Sequence, residues 1–250
     1  MNILSLYTRE TPALTLTEIT KATKLNKTTV YRILTTLENS GYLIRDPDTK
    51  RYRPGLKVLQ LGFASISSLE VRQVARRYLE HLSQQVGETV SLSVLDGPDI
   101  IYVDRVRNQG IVGVVLGIGS RLPAHCTSMG KAMLAHLPSA ELHQYLDQVV
   151  LDPCTPNSLV DPQALESELA LVRKQGYATN DEELELGLRA VAASIWDNSK
   201  RVVAAVNITG STSSISQERL VGELAESVRY TAAQITQAFG YMEGVLQVEP

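Results

Sequence analysis

Leu25-Asn26-Lys27-Thr28-Thr29-Val30-Tyr31-Arg32-Ile33-Leu34 reads as the opening of a helix with one face for a core and another for a partner. Asn26 is a natural cap for a helix over Lys27–Ser40. Val30, Leu34 and Leu37 share its apolar face, and Gly41 ends it in a left-handed conformation. Upstream, Thr15 and Glu18 have the spacing of a capping box, which starts a helix running to about Thr23. Lys24-Leu25-Asn26 is the break between the two. Downstream, Tyr42–Arg45 and Arg51–Arg53 read as short strands around the turn Asp46-Pro47-Asp48-Thr49. Helix, turn, helix and hairpin predict a winged helix-turn-helix.

In that motif the second helix enters the major groove with its first turns toward the bases. Here those turns carry Asn26, Lys27, Thr28, Thr29, Tyr31 and Arg32. Their amide, hydroxyl, ammonium and guanidinium groups match base edges and phosphates. Lys50 and Arg51, at the expected wing tip, suit a phosphate or minor-groove contact. A helical module that docks a protein would leave the same residues solvated. Spacing, cap, basic charge and wing together favour double-stranded DNA.

Charge is divided unevenly along the 250 residues. Up to residue 60 the chain has ten cations (Arg9, Lys21, Lys24, Lys27, Arg32, Arg45, Lys50, Arg51, Arg53, Lys57) and five anions (Glu10, Glu18, Glu38, Asp46, Asp48). That head is +5, so the remainder carries −8 of the total −3. A basic head on an acidic body fits a nucleic-acid module joined to a sensor. No run of about 18 apolar residues is present, so no membrane span is expected. Nor do the first ten residues have the layout of a signal peptide. Two cysteines, Cys126 and Cys154, make no disulfide framework, and the chain reads as cytoplasmic.

The organisation read from periodicity is α+β in two domains. Residues 1–54 form the DNA-binding domain, 55–69 a linker helix with Leu56, Leu59, Phe63 and Ile66 as its seam, and 70–250 a larger domain. In the last, a helix over Glu70–Val86 precedes strands at Thr89–Leu95, Ile100–Val106 and Ile111–Leu116. Helices are expected at Ser128–Leu137, Ser139–Leu146 and Asp161–Gln175. The last of these has Asp161 as cap, Pro162 inside and Gly176 beyond. Strands at Tyr177–Asn180, Leu188–Ile195 and Val202–Thr209 precede a terminal helix over Gln217–Phe239.

Arg121-Leu122-Pro123-Ala124-His125-Cys126-Thr127-Ser128 runs into a helix start, where backbone N–H groups and the hydroxyls of Thr127 and Ser128 suit a carboxylate. Asn207 and Thr209 alternate on the last strand and so share a face. His125 and Cys126 are adjacent, which is a poor match to zinc spacing, and no metal or cofactor is expected. A thiol hydrolase built on His125, Cys126 and Asp181 lacks a nucleophile elbow, and P-loop and dinucleotide fingerprints are absent too; no catalytic residues are expected. Glu182, Glu183 and Glu185 read as a solvated acidic loop, and Arg105 either pairs with an acidic neighbour for structure, the favoured reading, or reaches the effector.

Leu16-Thr17-Glu18-Ile19 followed by Leu25 to Leu34, and then Leu37-Glu38-Asn39-Ser40-Gly41-Tyr42-Leu43, resembles the IclR family of bacterial regulators. Tyr102-Val103-Asp104-Arg105, Gly119 to Ala135, Gly176-Tyr177-Ala178, Asp181-Glu182-Glu183 and Gly187-Leu188-Arg189 resemble it independently and in the family's order. The resemblance implies a linker helix and a GAF-like effector-binding domain with an antiparallel sheet, working as a homodimer or homotetramer on a palindromic operator. It implies a pocket lined by Ile111, Val114, Ser128, Met129, Asn180, Asp181, Leu188, Ala190, Asn207 and Thr209. Ile111, Val114, Leu188 and Ala190 read equally as plain core. The stretch Arg121 to Gly130 is most similar to the subgroup controlling aromatic-acid catabolism, such as protocatechuate and 4-hydroxybenzoate pathways. An aromatic or short-chain carboxylic acid is the implied effector.

Overall fold

A computed structural model describes residues 3–8, 11–67, 69–108 and 116–239. Two compact units divide the chain, Met1–Ser68 and Leu69–Pro250. No helix among the described residues is long and apolar enough to cross a membrane.

In the first unit a 3-10 turn (Ile3–Leu6) precedes α1 (Leu16–Thr23) and α2 (Lys27–Asn39). The capping box forms in full: Glu18 N–H donates to Thr15 Oγ1, and Thr15 N–H donates to Glu18 Oε2. Asn26 Oδ1 accepts from Thr29 N–H at 2.8 Å and caps α2. At the other end Gly41 has φ +77°, and Gly41 and Tyr42 N–H return to Glu38 and Leu37 carbonyls. This is the paired closure that a glycine permits after a last helical turn. β1 (Leu43–Arg45) and β2 (Tyr52–Pro54) form the wing, and Leu14 adds a bridge to Tyr52. Ile3, Ile19, Val30, Leu34, Leu43 and Tyr52 are its core. α3 (Leu56–Ser67) follows within the same unit.

The second unit is a six-stranded antiparallel sheet between helices. Its strands are β3 (Thr89–Asp96), β4 (Asp99–Val106), β5 (Arg121–Pro123), β6 (Ala178–Asp181), β7 (Leu188–Trp196) and β8 (Val202–Ser211). They lie in the order β5-β4-β3-β8-β7-β6. Alternation sorts their side chains between two cores. Val191, Ala193, Ile195, Val206 and Ile208 join α4 (Glu70–Val86) and α9 (Ala225–Ala238). Ala192 and Ala205, from the other face, join α5 (Ser128–Leu134), α6 (Ser139–Gln148) and α7 (Pro162–Gln175).

Several expectations are corrected here. The stretch Arg121–Ser128 does not run straight into the helix: β5 is a three-residue edge strand ending at Pro123, and a 3-10 turn over Ala124–Cys126 follows before α5. α5 stops at Leu134, short of Leu137. The terminal helix is not continuous. A short α8 (Gln217–Arg219) passes into a π-helical stretch, Leu220–Leu224, before α9, because Gly222 sits at φ −97°, ψ −105°. The expected strand at 111–116, and with it Ile111 and Val114, lies outside the described residues except for Leu116.

Candidate functional site

On α2 the side opposite Val30 and Leu34 is open: Lys27, Thr28, Tyr31 and Arg32 are exposed, and Thr29 is half-buried. The i, i+1, i+4, i+5 spacing puts these four on one strip. Thr35 and Thr36 extend it one turn further; the same spacing could have found them. Asn26 lies at its head, with its amide oxygen engaged by the cap. In the wing, Asp46 Oδ1 accepts from Asp48 and Thr49 N–H, which holds Lys50 at the tip with φ +57°. Arg51 is placed differently from expectation. Its guanidinium pairs with Glu18 at 3.1 Å and donates to the Ala13 carbonyl, so it ties the wing to α1.

The second unit encloses a cavity of about 210 Å3. Ser128, Asn180, Leu188, Ala190, Asn207 and Thr209 all line it. Tyr102, Arg105, Leu116, Leu122, Thr127, Leu184 and Glu185 complete the wall. Several of its polar groups have no partner among the described residues. Ser128 Oγ, Asn180 Oδ1, Asn207 Oδ1 and Arg105 Nε are buried and unbonded. Neighbouring atoms are satisfied: Asn180 Nδ2 donates to the Cys126 carbonyl at 2.5 Å, and Asn207 Nδ2 to Thr209 Oγ1 at 2.7 Å. Thr127 Oγ1 caps α5 by accepting from Gly130 N–H. Leaving a buried polar group unbonded costs on the order of 1–3 kcal/mol, so four in one cavity mark a place for something else.

Arg105 reaches this cavity because of a bulge. Ser93 pairs with Tyr102 and Leu92 with Asp104, so Val103 is the extra residue. Val103 and Asp104 both turn toward α4, where Arg72 and Arg76 hold Asp104 at 3.5 and 2.7 Å. Arg105 is then returned to the Tyr102 side, with its guanidinium carbon 5.7 Å from the ring centre. Burial holds its pKa below the usual value, and Arg107 nearby adds to the effect. No carboxylate among the described residues bonds to Arg105, so of its two expected roles the structural ion pair is not formed, and its place is in the cavity wall.

Two expected lining residues lie elsewhere. Met129 is fully buried in the core among Ile100, Tyr102 and Ala132. Asp181 pairs with Arg189 at 2.6 Å and accepts from Gln217. Glu183 is not solvated: it is buried, and Lys131 Nζ donates to both its oxygens at 2.6 and 2.7 Å. Burial raises the Glu183 pKa, with Lys131 working in the opposite direction. Glu182 Oε2 accepts from Gly187 N–H, and Glu185 faces the cavity. A wider cleft of about 670 Å3 runs past His125, Tyr145 and Asp152. Its walls hold fewer unbonded groups, so the smaller cavity is the stronger candidate for a ligand.

Residues 1–47 match the IclR helix-turn-helix domain, and residues 63–237 match the bacterial transcriptional regulator IclR C-terminal domain. The chain belongs to the IclR family. The HTH-type transcriptional regulator XynR of Escherichia coli is 34% identical over 241 residues, 96% of this chain and 95% of that protein. The Pca regulon regulatory protein of Pseudomonas putida is 37% identical over 208 residues, 83% of this chain and 71% of that protein. A crystal structure of a transcriptional regulator from Rhodococcus sp. RHA1 is 38% identical, with a TM-score of 0.79, covering 95% of this chain and 94% of that one. This IclR-family chain is therefore a DNA-binding transcription regulator, and its relatives are regulators and repressors rather than enzymes.

Proposed function

We propose that this regulator releases or grips its operator in response to a small organic acid held in the cavity of the second unit. The four unbonded polar groups carry the reading. Arg105 Nε–H and Ser128 O–H are donors suited to a carboxylate. Asn180 Oδ1 is an acceptor suited to a ligand hydroxyl, since its Nδ2 already donates to Cys126. The free end of Asn207 serves as donor or acceptor, because an amide can turn over. Tyr102, Leu116, Leu122, Leu184 and Leu188 supply apolar walls for a ring or short chain. The volume is below the roughly 300–1,000 Å3 of drug-sized pockets, which suits a small metabolite. A structure of an IclR homologue from Microbacterium hydrocarbonoxydans, 24% identical, is complexed with 4-hydroxybenzoate. At that identity it speaks for the fold, and the acid reading here rests on the cavity's own groups.

Lys27, Thr28, Tyr31 and Arg32 are the base-reading strip in this proposal, with Asn26 and Thr29 at its head and Lys50 on a phosphate. Arg51 keeps the wing seated. A second copy of the chain pairs through α3, which matches a palindromic operator.

The test is a thermal-shift panel of aromatic and aliphatic acids. A native-state ligand at about 100 times its Kd adds roughly 2.7 kcal/mol. The shift should vanish in Ser128→Ala and Asn180→Leu and leave Met129→Leu unaffected. A panel in which neutral analogues shift the protein as much as acids do would remove the carboxylate from the reading.

A further inference from the structure

We propose that the wider cleft beside α6 is a second ligand site, shaped for a small organic cation with an apolar body. The cleft measures about 670 Å3 and shares no lining residue with the smaller cavity, so the inference does not depend on how that cavity is read. Three elements wall it: the β3–β4 turn with Pro98, the end of β5 at Pro123, and one side of α6. On α6 the lining residues are Glu141, Gln144, Tyr145 and Gln148, at the i, i+3, i+4, i+7 spacing of a single helical face. The turn opposite is held in place. Arg121 donates to Asp96 at 2.6 Å and to Asp99 at 3.2 Å, and Ala124 N–H donates to the Pro98 carbonyl.

Two polar side chains of this cleft await a partner. His125 is 2% exposed and Tyr145 7% exposed, and His125 Nδ1 and Tyr145 Oη have no hydrogen-bond partner among the described residues. His125 Nε2 lies 3.0 Å from the Asp152 carbonyl, which can only accept. The ring hydrogen is therefore on Nε2, and Nδ1 of the neutral imidazole is an acceptor. Burial pushes the Tyr145 pKa up, against a smaller pull down from the His125 backbone, so Tyr145 stays a neutral phenol whose oxygen can also accept. Buried polar atoms are ordinarily bonded, so two on residues lining one cleft mark the place of a ligand's polar end.

The sign of the ligand follows from the rim. Asp99, Glu141 and Asp152 line the cleft, and no lysine or arginine does among the described residues. An acid would be repelled there and a cation drawn in, the opposite of the smaller cavity with its Arg105. Leu95, Leu137, Val149 and Val150 give the apolar contact, and Val150 is 76% exposed. A protonated primary amine satisfies the set: its N–H groups donate to His125 Nδ1, Tyr145 Oη and a rim carboxylate, while its apolar body covers the valines.

Phenethylamine, an ammonium on an apolar ring, is titrated calorimetrically into the full-length protein. Burial lowers the His125 pKa while Cys126 and Asp152 raise it, with a net rise, so the titration is run at pH about 8.5 to favour the neutral ring. The expected result is saturable binding of one amine per chain, with its uncharged analogue 2-phenylethanol about tenfold weaker or worse. Tyr145→Phe removes only an unbonded hydroxyl; it should keep the parent's melting temperature or better and weaken the amine about tenfold. Glu141→Gln, on the exposed rim, should weaken it about threefold. Ser128→Ala, which alters the smaller cavity, should leave the amine's affinity unchanged. No saturable binding at millimolar amine, an alcohol that binds as tightly as the amine, or a Tyr145→Phe protein with the parent's affinity overturns the proposal. Loss of amine binding in Ser128→Ala would place the amine in the smaller cavity and overturn it too. An acid panel without a binder would sink the acid reading and leave every one of these outcomes intact.

Discussion

Gly130 shows how a single residue can be dictated by its neighbours' backbone. A Cβ there would sit 2.1 Å from the Ala124 carbonyl oxygen and 2.4 Å from its Cα. In an open helix, glycine to alanine stabilises by up to about 1 kcal/mol. Here the clash is with backbone that cannot rotate away, and overpacking typically costs about 1–3 kcal/mol, more where backbone must shift. The clash dominates, so Gly130→Ala should lower the urea midpoint sharply; a midpoint at or above the parent's would show that the 3-10 turn moves freely. His136 is a second residue set by its surroundings. Its ring lies 4.7 Å from that of Trp196, and burial, then Arg173, lowers its pKa to about 4. The folded value is below the unfolded one of 6.5, so its contribution is present above pH 6.5 and lost as pH falls toward 4. After discounting for partial exposure that contribution is about 2 kcal/mol. Stability measured at pH 7 and pH 4.5 should fall less in His136→Phe than in the parent, and equal losses would refute burial as the cause.

At the scale of elements, what could be read in advance was what repeats or caps. α1, α2 and α7 announce themselves by Thr15, Asn26 and Asp161, because a cap is a local bond between near neighbours. Asn207 and Thr209 fall on the cavity face by strand alternation alone. β5 was not legible, since three residues ending in proline carry no period, and the edge position that tolerates Pro123 exists only once the sheet is formed. α5 is buried all round, so no stripe distinguishes Ser128, which lines the cavity, from Met129, which fills the core. Arg105 needed the bulge at Val103, a property of pairing with β3. Glu183 looked solvated because acidic runs usually are, and its partner Lys131 is 52 residues away. That pair permits a further prediction. Removing one member of a buried ion pair costs about 3–5 kcal/mol, because the other charge stays desolvated. Lys131→Met should be destabilised by that amount, and adding Glu183→Gln should recover part of it; a double variant no better than the single would argue against a direct pair.

On the scale of the whole molecule, α3 is an apolar helix that no described residue of its own unit covers. Leu56, Leu59 and Phe63 are 77, 56 and 67% exposed, at the spacing of one helical face. A soluble chain rarely leaves such a stripe bare, and a second copy with the same stripe can cover it symmetrically. The consequence for DNA is larger than for stability. Two reading helices on one operator make the second contact intramolecular, which multiplies affinity by about 10²–10⁴ without any new bond to a base. Because these side chains are not in the core of either unit, charging them should not unfold the chain. Leu59→Glu with Phe63→Glu should therefore sediment as a monomer, keep its far-ultraviolet spectrum, and lose operator affinity by about that factor at fixed salt. The same variant should still be stabilised by a cavity acid, since the cavity residues lie at 102 and beyond. A monomer that binds the operator at the parent's affinity would take α3 out of the assembly, whereas a dimer that persists would place the pairing surface elsewhere on the chain.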